Sequence, residues 1–165
     1  MFATAALVLH AACGGLALLA GPVAMFSRKR RGVHTRSGWL YTMLALATCL
    51  SALALVSLEG WTRYWILGAI SIATLASVMI GFLAARRKWR NWITAHIVGQ
   101  LSSYISMVTA FVVVNRSMVR EITGLPSLWC WILPTLIGTP LIMLAVSRAS
   151  RPAGPRGPRT PEQGD

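Results

Sequence analysis

Apolar residues along this chain fall into long uncharged runs separated by short basic blocks. Five runs stand out: Met1–Ser27, Gly38–Leu58, Tyr64–Ala85, Asn91–Asn115 and Ile122–Ser147, none with a formal charge. A bilayer's hydrocarbon core takes roughly 20 residues of helix, so each run is long enough to cross once. The pattern predicts an all-α protein, an integral membrane bundle of five transmembrane helices over about residues 2–26, 38–58, 64–85, 92–114 and 127–147. Together these make one domain, residues 1–147. From residue 148 onward, Pro, Gly and Arg dominate and nothing could form a core. Residues 148–165 therefore read as a disordered basic tail.

Composition sharpens this picture. Of 165 residues, 55% are hydrophobic and 12% charged, which excludes a compact soluble enzyme. Sixteen Lys and Arg against four Asp and Glu give a net charge of +12. Such a balance in a soluble protein would suggest nucleic acid. Here the basic residues are confined to blocks between apolar runs, so no nucleic acid is expected. Their expected partner is the bilayer itself, with anionic headgroups drawn to the basic loops and tail.

The blocks also orient the chain. Arg28 to Arg31 with Arg36, then Arg86, Arg87, Lys88 and Arg90, then the four tail arginines, place thirteen basic residues on one side. Arg63, Arg116 and Arg120 are the three on the other. The positive-inside rule puts the N-terminus outside and the C-terminus in the cytoplasm, and five crossings separate the termini as that requires. Tryptophan agrees: Trp39, Trp89 and Trp92 fall at expected inner boundaries, and Trp61, Trp65, Trp129 and Trp131 at outer ones. The first run lacks a basic n-region and is too long for a signal peptide, so it reads as a retained helix. Cys13, Cys49 and Cys130 have no metal-ligand spacing and read as small apolar fillers.

Candidate chemistry is sparse. No Asp or Glu falls within a predicted helix: Glu59 and Glu121 are in outer loops, Glu162 and Asp165 in the tail. A carboxylate proton relay, an aspartyl protease and a Ser-His-Asp hydrolase each lose a necessary residue, and the chain leans away from being an enzyme. Three histidines remain, and ionisable residues in a membrane mark candidate sites. His10, Gly14, Ala17 and Gly21 share one face of the first helix, where small residues let a neighbouring helix approach. His96, Gln100, Ser103 and Met107 form a seam on the fourth helix, with Tyr104 beside it, suited to interhelical hydrogen bonds. At about 1.5 Å of rise per residue, His96 lies about 6 Å inside the inner boundary, and His10 differs from it in depth by roughly 10–18 Å. His10 and His96 make a strained pair. His34, placed by charge pattern in the first cytoplasmic loop with Arg36, pairs more easily with His96 if that loop folds back. Two stacked b-type haems would need four axial ligands, so three histidines allow one bis-histidine haem b at most. Pro134 and Pro140 each remove a helix hydrogen bond, so the last helix is expected to bend.

These residues carry a resemblance as well. His10-x-x-x-Gly14 leading to Gly21-Pro22, then Gly32-x-His34-x-Arg36-x-Gly38-x-x-Tyr41, resembles the start of an uncharacterised bacterial family of multi-pass predicted membrane proteins with a domain of unknown function. Trp92, His96, Tyr104, Ala110-Phe111 with Asn115, Pro126, Trp131, Pro134 and Gly138-x-Pro140 continue it. Relatives often have an acid before the Asn, where this chain has Val114. The resemblance implies five helices, a bacterial plasma (inner) membrane and three histidines that belong together, and no reaction.

The sequence thus points to a small binding or accessory membrane protein. His34 and His96, and His10 more remotely, are the candidate ligand-binding residues, and Gln100, Ser103, Tyr104, Arg36 and Tyr41 their polar surroundings. A redox protein holding one haem b or a metal on His34 and His96 is the alternative. A small-solute transporter enclosing its path in a homo-oligomer is the third. A periplasm-active reporter should be silent when fused at the C-terminus and active when inserted after Glu59. Activity at the C-terminus would overturn the topology.

Overall fold

A computed structural model describes residues 2–29 and 32–150. It holds six helices: α1 (Phe2–Phe26), α2 (Val33–Glu59), α3 (Trp61–Arg87), α4 (Trp92–Val114), α5 (Arg116–Thr123) and α6 (Ser127–Ala149). No strand occurs among the described residues. Five helices, all but α5, are long and apolar enough to cross a membrane. The tail expected beyond residue 148 lies outside the described residues except for Arg148, Ala149 and Ser150, and α6 itself runs on to Ala149.

Three connections differ from the charge pattern. Helix α2 starts at Val33, so His34 sits in its first turn and not in a loop. The cause is local. Gly32 takes φ +135, a conformation open to glycine, and nothing in Val33–Ser37 breaks a helix, so the first turn closes with the Arg36 amide donating to the Gly32 carbonyl. A charge run marks where a helix leaves hydrocarbon, not where it ends. Between α2 and α3 the turn is Gly60 alone, at φ +110. Arg63, expected in a loop, therefore lies in the first turn of α3, which breaks its helical geometry at Tyr64. The third difference is α5, a two-turn helix within the stretch expected to be an outer loop.

Packing is the reverse of a soluble core. Leu19, Leu136 and Met143 are exposed, with about 71%, 59% and 68% of their surface free, while the interior is small and hydroxylated: Ala17, Ala45, Thr42, Thr48, Ser71, Thr74 and Ser103. Lipid tails are as apolar as leucine, so helices gain by close backbone approach and polar contact instead. The buried hydroxyls need partners, and Thr42, Thr48, Ser51, Ser71, Thr74 and Thr109 each donate to the carbonyl four residues earlier in their own helix. Among the described residues no buried side-chain nitrogen or oxygen lacks a partner.

Helices α1 and α2 pack as one antiparallel pair, α3 and α4 as another; α2 also packs on α3, and α6 lies against α4. Backbone meets backbone where α3 crosses α4. A Cβ at Gly99 would come within 2.6 Å of the Gly81 amide nitrogen and the Ser77 carbonyl oxygen, both of them backbone atoms. Replacing Gly99 by Ala should therefore cost about 1–3 kcal/mol through overpacking, read as a lower melting temperature in detergent. Gly15→Ala on α1, where an added methyl meets nothing within 4 Å, should leave stability equal or slightly higher. A Gly99→Ala protein as stable as the parent would refute the crossing.

Candidate functional site

The α3–α4 crossing positions His96. Gly99 lies one turn along α4 from His96, and the contact it permits draws the imidazole against the α3 backbone. His96 Nδ1 lies 2.9 Å from the Gly81 carbonyl oxygen. One turn further on, Gln100 Nε2 donates to the Val78 carbonyl at 3.2 Å. Two side chains of α4 thus grip two carbonyls of α3 in successive turns.

His34 is fixed in the same way by another helix. Its Nδ1 lies 2.8 Å from the Ala24 carbonyl oxygen, in the last turn of α1. That turn has carbonyls with no partner in their own helix, and the Lys29 ammonium also donates to it, at Met25 and, at 3.4 Å, at Ala24. Partial burial in this setting holds Lys29 below the ordinary lysine pKa. Its capping role was missed in the sequence, where Lys29 counted only as charge; a basic residue just past a helix end is the available signal.

The two imidazoles meet. Their ring centres are 6.3 Å apart and their planes nearly perpendicular, at 88°. Both rings are half-buried, where the C-terminal ends of α1 and α3 meet the N-terminal ends of α2 and α4. A carbonyl oxygen can only accept, so each Nδ1 carries the proton. In a neutral imidazole that leaves Nε2 as an unprotonated acceptor. Two neutral rings held in this way would offer two lone pairs, one on each Nε2.

The remaining candidates are distributed around it. Seven residues along α2 from His34, Tyr41 is buried with its hydroxyl 2.8 Å from Ser103 Oγ. Ser103 Oγ also lies 2.8 Å from the Gln100 carbonyl, and the Tyr41 hydroxyl 3.8 Å from Met107 Sδ. Tyr104 donates across to the Leu18 carbonyl of α1 at 3.1 Å, and its ring lies over Gly21, where a Cβ would be only 2.5 Å from the ring. Through its seam, α4 bonds to α3, α2 and α1 in turn. Arg36 is not part of this group: two residues on from His34, it is exposed on the other side of α2. His10 stands apart, within α1 and against the middle of α2. Its Nδ1 lies 3.1 Å from the Thr48 carbonyl oxygen and 3.3 Å from Ser51 Oγ. The small face it shares with Gly14 and Ala17 packs on other helices, with Ala17 fully buried and Gly14 facing Thr48. Among the described residues no three His, Cys, Asp or Glu side chains gather as a metal site would require, and Cys13, Cys49 and Cys130 are free thiols.

Neither the curated proteins nor the solved structures contain a match to this chain. A family model does match. Residues 7–145, which include all three histidines, the seam of α4 and both prolines of α6, fit the family described as predicted membrane protein (DUF2306), and the chain belongs to that family.

Proposed function

We propose that this chain is a small, non-enzymatic binding or accessory protein of the bacterial inner membrane, and that the His34–His96 pair, at the cytoplasmic face, is its binding site. One observation carries the reading: both imidazoles spend their Nδ1 proton on a backbone carbonyl and stand 6.3 Å apart at their centres. Fixing one ring nitrogen on a carbonyl is how proteins hold the other as a ligand.

Spacing narrows the class of ligand. A direct imidazole–imidazole bond, with nitrogens about 2.9 Å apart, would bring the ring centres to about 5 Å, closer than they stand. A metal held by one nitrogen of each ring, at about 2.0 Å, would fit between ring centres up to roughly 6 Å apart. A molecule donating two hydrogens, one to each ring, needs a similar gap. The occupant is thus an acceptor of two lone pairs. As a second reading, His34 and His96 would be the residues to hold a single haem b or a metal, which would supply redox chemistry.

Full-length protein purified in mild detergent from haem- and metal-replete cells tests this by its optical spectrum and its metal content. Near-stoichiometric ligand is expected, reduced at least tenfold by either His34→Ala or His96→Ala and retained in His10→Ala. A Soret band selects the haem. Equal ligand content in all four proteins, or none in the parent, would overturn the site.

A further inference from the structure

Helix α5 belongs to neither the histidine site nor the bundle core. It has eight residues, Arg116–Thr123, none of them buried. At 100° per residue its sequence separates cleanly: Met118, Val119 and Ile122 occupy one side, and Arg116, Arg120, Ser117 and Glu121 the other. Met118 and Ile122 leave about 51% and 77% of their surface exposed. In a helix surrounded by water these side chains would be stranded. On the polar side, Arg116, Ser117, Arg120, Glu121 and Ser127 line an open recess of about 500 Å³.

Connectivity fixes the level of this helix. Asn115 alone separates it from the end of α4, and residues 124–126 alone separate it from the start of α6. Three residues reach about 10 Å at most, so α5 stays at the mouth of two membrane spans. The adjoining ends of those spans expose apolar side chains too, Phe111 and Val114 of α4 and Leu128 and Trp129 of α6.

We propose that α5 is an interfacial helix lying in the membrane surface, with Met118 and Ile122 sunk into the boundary of the acyl chains and Arg116 and Arg120 at the level of the lipid phosphates. Amphipathic helices bind in this way, their apolar side buried about 5–10 Å into that boundary. The partner is the bilayer, and the helix anchors the α4–α6 connection to it.

Spin labels test the orientation in nanodiscs of phosphatidylcholine and phosphatidylglycerol holding one chain each. Met118→Cys, Ile122→Cys, Ser117→Cys and Glu121→Cys are labelled singly in a chain whose Cys13, Cys49 and Cys130 are alanine. Accessibility to oxygen relative to an aqueous nickel complex should be several-fold higher at 118 and 122 than at 117 and 121. Equal ratios at all four positions would overturn the proposal, as would a difference seen only with two chains per disc, which would assign the apolar side to a second copy. Should the cysteine-free chain not fold, the unaltered protein gives the answer through Met118. Its oxidation by aqueous peroxide in single-chain nanodiscs should be at least tenfold slower than in a free peptide of residues 116–123, and an equal rate would refute burial in lipid.

Discussion

The contact on which the rest depends is the approach of α3 and α4 at Gly81 and Gly99, so close that neither position has room for a methyl group. In lipid there is no gain from hiding leucine from water, so helices must associate through close packing and hydrogen bonds. Backbone proximity supplies both. With α3 drawn in, its carbonyls at 78 and 81 come within reach of Gln100 and His96, and the next residues along α4, Ser103 and Tyr104, meet α2 and α1. The polar seam follows from where the glycines allow α4 to lie.

Each of the three histidines is treated alike. His10, His34 and His96 all place Nδ1 against a main-chain carbonyl of a different helix. The bond both ties two helices together and selects the tautomer, so structural and ligand-binding roles are not rivals at the level of one side chain. What separates His34 and His96 from His10 is adjacency: two rings stand together at one end of the bundle, and one ring stands alone within it.

The five spans were legible because a membrane helix announces itself by length and lack of charge, a signal that needs no knowledge of its neighbours. The polar seam of α4 was legible for a related reason, since His96, Gln100 and Ser103 recur at helical spacing in an otherwise apolar run. The start of α2 was not, because Arg36 ended the uncharged run while the helix itself continued back to Gly32. Helix α5 was hidden by its brevity and its two arginines, which read as loop charge until their one-sided arrangement is considered. The carbonyl partners of the histidines could not be found in sequence, because any residue presents a carbonyl and only the helix crossing selects Ala24 and Gly81.

The single-residue turn at Gly60 bears on how the protein is made. With α2 ending at Glu59 and α3 beginning at Trp61, no tether long enough to hold two separate insertion events joins them. Biogenesis must therefore deliver α2 and α3 to the bilayer together, as a preformed helical hairpin. The tip of that hairpin carries Glu59 and Arg63, one charge of each sign, so it has no net charge. The heavier basic blocks lie at the other end of the pair, around the start of α2 and the end of α3.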